Sequence, residues 1–100
     1  MTIQSTLRPI NGQKVAASGT TARTATAFEN NDIGIYCATD CYIKFGDSTV
    51  TATTTDGGYD MLVAAGSRQD VRNGGASHVA VILASGSDTV YINEWTKKVV

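Results

Sequence analysis

One hundred residues with a net charge of −1 make one domain with one modest core, and they exclude the basic footprint that nucleic-acid binding requires. No apolar run approaches the ~20 residues of a membrane-spanning helix, and the opening MTIQSTLRPING lacks the basic-then-apolar pattern of a secretory leader, so neither a membrane nor a nucleic acid is an expected partner. Thr, Gly, Val and Ala are abundant and Pro9 is the single proline; β-branched side chains lose little freedom on a pleat, and the composition reads as all-β.

Period-2 alternation recurs along the chain, whereas helical periodicity does not. Residues 2–8 (TIQSTLR) read as a first strand, closed by the turn residues Pro9-Ile10-Asn11-Gly12. Residues 13–17 (QKVAA) form a short strand ending at Ser18-Gly19. The Thr/Ala alternation over 20–28 (TTARTATAF) suits an edge or partly exposed strand, after which Glu29-Asn30-Asn31-Asp32 turns the chain. Residues 33–45 carry the strongest strand signal and break off at Gly46-Asp47-Ser48. Further strands are expected over 49–55 (TVTATTT), 59–64 (YDMLVA), 68–72 (RQDVR), 77–84 (SHVAVILA) and 89–95 (TVYINEW), each followed or preceded by Gly-, Asp- or Asn-rich turns. Roughly eight or nine short strands at this spacing predict a single jelly-roll-like β-sandwich of antiparallel strands over residues 1–100. An immunoglobulin-like sandwich is the topological alternative, although its Cys…Trp…Cys spacing is absent.

The candidate chemistry centres on Cys37 and Cys41. Along 33–45 the odd positions Ile33, Ile35, Cys37, Thr39, Cys41, Ile43 and Phe45 make an apolar face that carries both cysteines. In a continuous strand the two cysteines stand ~13 Å apart at ~3.3 Å per residue, too far for a bond. In a hairpin looped through Ala38-Thr39-Asp40 they face one another. Both geometries respect the pattern. A zinc site needs at least three protein ligands, and the chain offers two Cys and one His with no second pair, so no metal or other cofactor is expected. A nucleophilic cysteine wants a base; His78 is the sole histidine, and its place at the head of an apolar strand reads as a surface or edge position. Core packing by two free thiols is the preferred reading. Asp40, Asp47, Asp56 and Asp60 sit in turn contexts, where a short carboxylate serves the local backbone. Tyr36 and Tyr42 share the outward parity with Lys44, and exposed tyrosines suit protein interfaces.

Taken in order, ATDCYIKFG (residues 38–46), VTATTTD (50–56), MLVAAG (61–66) and HVAVILASGSDTVYINEW (78–95) resemble a group of small tailed-bacteriophage virion proteins. Those carry an "ATTDCYIKFG"-like strand, a "TATTSD" turn, an "LPAG"-like segment and a terminal "VAVI..SG.G.VYVTE" hairpin. The likeness covers about residues 33–95; Val63 stands where proline is commoner, and Ile92-Asn93-Glu94 replaces Val-Thr-Glu. The resemblance implies a β-sandwich capsid decoration (cement) protein, made in the host cytoplasm and carried on the virion. Its partner would be the major capsid protein, and it would be a dimer or trimer with no enzymatic activity.

On that reading residues 1–8 form an arm and 96–100 a tail, with Ile3, Leu7, Tyr36, Tyr42, Lys97 and Val99 as interface positions. The alternative is a receptor- or glycan-binding module, or another head-tail or fibre component, for which Tyr36, Tyr42, Tyr59 and Asp60 are the contributors in view. An enzyme ranks third, because no base, nucleophile and oxyanion donor assemble from these residues.

Overall fold

Alternating apolar residues find inward positions on eight strands in the computed structural model, which describes residues 7–97. The strands are β1 (Leu7–Ser18), β2 (Ala22–Arg23), β3 (Asp32–Tyr36), β4 (Cys41–Gly46), β5 (Met61–Val63), β6 (Arg68–Arg72), β7 (His78–Ile82) and β8 (Ser87–Lys97). They form two four-stranded sheets in the orders β1-β8-β3-β6 and β2-β7-β4-β5, with every pairing antiparallel. The partners β1–β8, β2–β7, β3–β6 and β4–β5 nest like one long hairpin wrapped around a core, and β3–β8 and β4–β7 close the wrap. That nesting is the jelly roll. The expected all-β sandwich is the fold, and the strand order sets the immunoglobulin alternative aside.

Ile33 and Ile35 of β3 and Val90 and Ile92 of β8 meet Ile43 of β4 and Val79 and Val81 of β7 between the sheets, all essentially inaccessible to water. Burial of each such side chain contributes about 1.5–3 kcal/mol. β7 is buried at all five of its positions, because both of its faces are covered. Its odd residues look into the sandwich, and Ala80 and Ile82 look outward into a second apolar cluster with Ala52, Val50 and Tyr42.

That second cluster corrects the strand expected over 49–55. The segment is irregular and lies across the outer face of β7 and β4. Val50 and Ala52 alternate as in a strand, but the backbone bonds go elsewhere. The Val50 amide donates to the Asp47 carbonyl, Ala52 to the Thr21 hydroxyl, and Thr53 to the Gly58 carbonyl. Likewise only Ala22–Arg23 of the segment 20–28 is strand. Thr24, 2% exposed, exchanges bonds with Val79, and Thr26 is held by the Gln13 side chain.

Pro9-Ile10-Asn11-Gly12 does not close a strand either. It lies inside β1, where the register with β8 shifts between Ile10 and Gln13. Asn11 takes a left-handed conformation, φ 54°, which asparagine tolerates better than most side chains. The residues that would end a strand instead make a bulge. Pro9 is accommodated because β1 is an edge strand, where a missing N–H faces no neighbour.

Both geometries offered for Cys37 and Cys41 are also replaced. β3 belongs to one sheet and β4 to the other, so Cys37 to Asp40 carries the chain across the sandwich. The outward parity of Tyr36 and Tyr42 survives, but they lie on opposite outer faces. In the same way β7 and β8 are not a hairpin; they lie in different sheets. Residues 1–6 and 98–100, including Ile3 and Val99, lie outside the described residues.

Candidate functional site

The outer face of the β1-β8-β3-β6 sheet carries a group of half-buried and exposed aromatic and charged side chains. Cross-strand register sets them in rows. Lys14 pairs with Tyr91, Tyr91 with Tyr36, and Tyr36 with Arg68. Two residues along, Asn93 pairs with Gly34 and Gly34 with Asp70; two further, Pro9, Trp95, Asp32 and Arg72 form a third row.

The middle row is a trough. At Gly34 a Cβ would stand 2.6 Å from Nη2 of Arg68 and 2.7 Å from Oδ1 of Asn93, so the absence of a side chain is what lets the guanidinium lie down there. Arg68 Nη2 donates to Asn93 Oδ1 at 2.8 Å, and its guanidinium carbon sits 5.0 Å over the Trp95 ring. Trp95 Nε1 in turn donates to Asp70 Oδ1 at 3.0 Å, 3.4 Å from Arg68 Nε. A cation–π contact, the hydrogen bond to Asn93 and the ion pair with Asp70 hold Arg68 against the sheet. Beside it the Tyr36 and Tyr91 rings stand 6.5 Å apart, tilted by 40°. At the other end of the trough Gly12, within the β1 bulge, leaves the surface open, and a recess of about 280 Å³ forms between the bulge, Tyr91, Tyr36, Arg68 and Asn93.

The carboxylate of Glu94, only 1% exposed, supports this face from inside. Its Oε1 accepts from the backbone N–H groups of Glu29 and Asn30, both at 2.8 Å, and from Asn30 Nδ2 at 3.0 Å. Its Oε2 accepts from Asn11 Nδ2 at 3.3 Å. One buried anion therefore ties the loop 29–30 to the bulge in β1.

No family model matches the chain, and neither curated proteins nor solved structures yield a match.

The sequence-predicted positions are distributed over three places. Leu7 and Lys97 pair directly at the end of the β1–β8 ribbon, next to Arg8 and Thr96, so residues 7, 8, 96 and 97 of the expected arm and tail are strand. Tyr36 belongs to the aromatic face just described. Tyr42 is on the far sheet, edge-on to Tyr59 at 4.9 Å and beneath the covering segment 49–55. Asp60 is near it, accepting from the Phe45 amide and pairing with Lys44 at 3.7 Å.

Cys37 and Cys41 are free thiols at zero exposure. Burial, together with the adjacent Cys37 thiol and Asp40, pushes Cys41 from 9.0 up to about 12, which makes it an inert packing group at neutral pH. His78, read as a surface or edge residue, is buried at 8% exposure on an interior strand, with Ser77 Oγ 2.8 Å from Nδ1. Asp47 accepts from the Thr49 N–H and hydroxyl at 2.8 and 2.6 Å, and Asp40 from the Ala65 amide at 2.6 Å. Asp47 thus serves its own turn and Asp40 ties its loop to the one at Ala65, and no cluster of three metal-binding side chains exists among the described residues.

Arg68, Asp70, Asn93 and Trp95 were missed as site residues in the sequence. The signal was present: Tyr91, Asn93 and Trp95 share one parity in TVYINEW, opposite Val90, Ile92 and Glu94.

Proposed function

We propose that this protein is a structural component of a tailed-phage virion, a decoration protein that binds the assembled head and stabilises it without catalysing a reaction. The observation that carries the reading is the pairing of Leu7 with Lys97. It brings the two ends of the described chain, and with them the predicted interface positions Leu7 and Lys97, to one end of the β1–β8 ribbon. A rigid β-module with two chain segments issuing side by side can lay both across neighbouring subunits of a shell, by strand addition to an exposed edge. Contacts of roughly 1,200–2,000 Å² suffice for stable binding, and self-association into a dimer or trimer multiplies their effect through avidity. The segment-by-segment resemblance to small phage virion proteins supports the same assignment.

Deletion of residues 1–6 tests the mode of attachment, since it keeps Leu7, Arg8 and the whole described β1–β8 ladder. The truncated protein is expected to melt as the full chain does and to lose binding to purified heads. Undiminished binding would rule out attachment through this end. The alternative, a glycan-binding module, draws on a separate observation, the Tyr36–Tyr91 face.

A further inference from the structure

We infer that the recess on the β1-β8-β3-β6 face is a binding site for an acidic saccharide, a pyranose bearing a carboxylate. This goes beyond head attachment. The Lys14–Tyr91 row lies six residues along β8 from Lys97, about 20 Å at ~3.3 Å per residue, so a particle gripped by the terminal end leaves the face open to solvent.

Three observations converge on the ligand class. First, Tyr91 is 50% exposed although β8 is an interior strand of its sheet. The 40° tilt between its ring and that of Tyr36 leaves the two rings splayed rather than stacked flat on each other. Splayed ring faces at the wall of a recess suit a ligand with an apolar C–H face and polar edges, which describes a pyranose. Second, one charged group of the recess is held in advance. Arg68 is fixed by Asn93, Trp95 and Asp70, so little side-chain freedom remains to be lost on binding. Third, the lining contains two cations, Lys14 and Arg68, and no carboxylate. Asp70 partly balances Arg68 from outside the recess, while Lys14 makes no ion pair among the described residues. The residual positive charge calls for an anion on the ligand.

Size narrows the class further. At about 280 Å³ the recess falls just below the ~300 Å³ at which drug-sized pockets begin, so it takes a single ring with its neighbours lying over the sheet. A single-stranded nucleic acid fits less well, because it needs a basic groove along its whole backbone and the protein's net charge is −1.

The test is titration of the full-length protein with trigalacturonate, the neutral galactose trisaccharide and inorganic phosphate, read by amide chemical shifts. The expected result is saturable shifts centred on Lys14, Tyr36, Arg68, Tyr91 and Asn93 with trigalacturonate alone. Tyr91→Ala should weaken that binding at least about tenfold, as loss of an aromatic anchor does. Lys14→Gln should weaken it too and flatten its salt dependence. Both substitutions are at exposed positions and should leave the melting temperature close to that of the parent. The absence of shifts at millimolar trigalacturonate would overturn the inference. Equal binding of the neutral sugar, equal shifts with phosphate, or full binding by Tyr91→Ala would each overturn it as well.

Discussion

Glu94 is the residue on which the local order of the sandwich depends most. A carboxylate on the core-facing parity of β8 is tolerable only because four donors converge on it, two of them backbone N–H groups of residues 29 and 30. Glu94→Ala takes the acceptor from four part-buried hydrogen bonds, two of them donated by backbone N–H groups. It should cost at least ~3 kcal/mol, given about 1.5–3 kcal/mol for each hydrogen bond to a charged group and incomplete additivity. Glu94→Gln keeps one acceptor oxygen for the three donors at Oε1 and should cost less than half as much, as measured by urea denaturation. Cys41 offers a second check. Its thiol is raised from 9.0 to about 12 in the folded protein, so the native state holds its proton over a range in which the unfolded chain has lost it. The contribution is complete below pH 9 and falls as pH rises from 9 towards 12. Cys41→Ser should flatten that alkaline decline in a pH-dependent melting series. A thiol reagent at pH 7 should label neither cysteine until the protein is unfolded.

The strands whose alternation is uninterrupted were legible in the sequence. Residues 68–72 match β6 at both ends, and the apolar parity of Ile33, Ile35, Ile43, Val90 and Ile92 names the core. Parity, however, says only in or out; it does not say of which sheet. In a jelly roll nearly every connection crosses between the sheets, and here only β4 and β5 are consecutive strands that pair. Tyr36 and Tyr42 therefore share the outward parity read from the sequence but belong to different sheets. Asn11-Gly12 carried the chemistry of a turn and was used for a bulge, which local sequence does not distinguish. The segment 49–55 has strand alternation because Val50 and Ala52 cover Ala80 and Ile82, not because its backbone joins a ladder. Replacing Ala52 by Asp would bury a charge with no partner against that cluster and should destabilise the domain by ~3 kcal/mol or more. Thr54→Asp, at an exposed neighbour, should change the melting midpoint little. Equal effects of the two would contradict the covering role of the segment.

At the scale of the molecule, the fold separates two surfaces. One end gathers the paired stems of the terminal segments, and one sheet face presents the Tyr36, Tyr91 and Arg68 group. A jelly roll hosts many functions, so the assignment rests on these surfaces and on the phage-like segments rather than on the architecture. The reading of a decoration protein requires a binding surface that exists only on the assembled shell. The most direct measurement is co-sedimentation of the purified full-length protein with heads before and after expansion, with the bound protein counted per particle. The account predicts saturable binding to expanded heads in a fixed ratio to the capsid subunits, and little binding to unexpanded ones. Failure to sediment with either form of the head would contradict it.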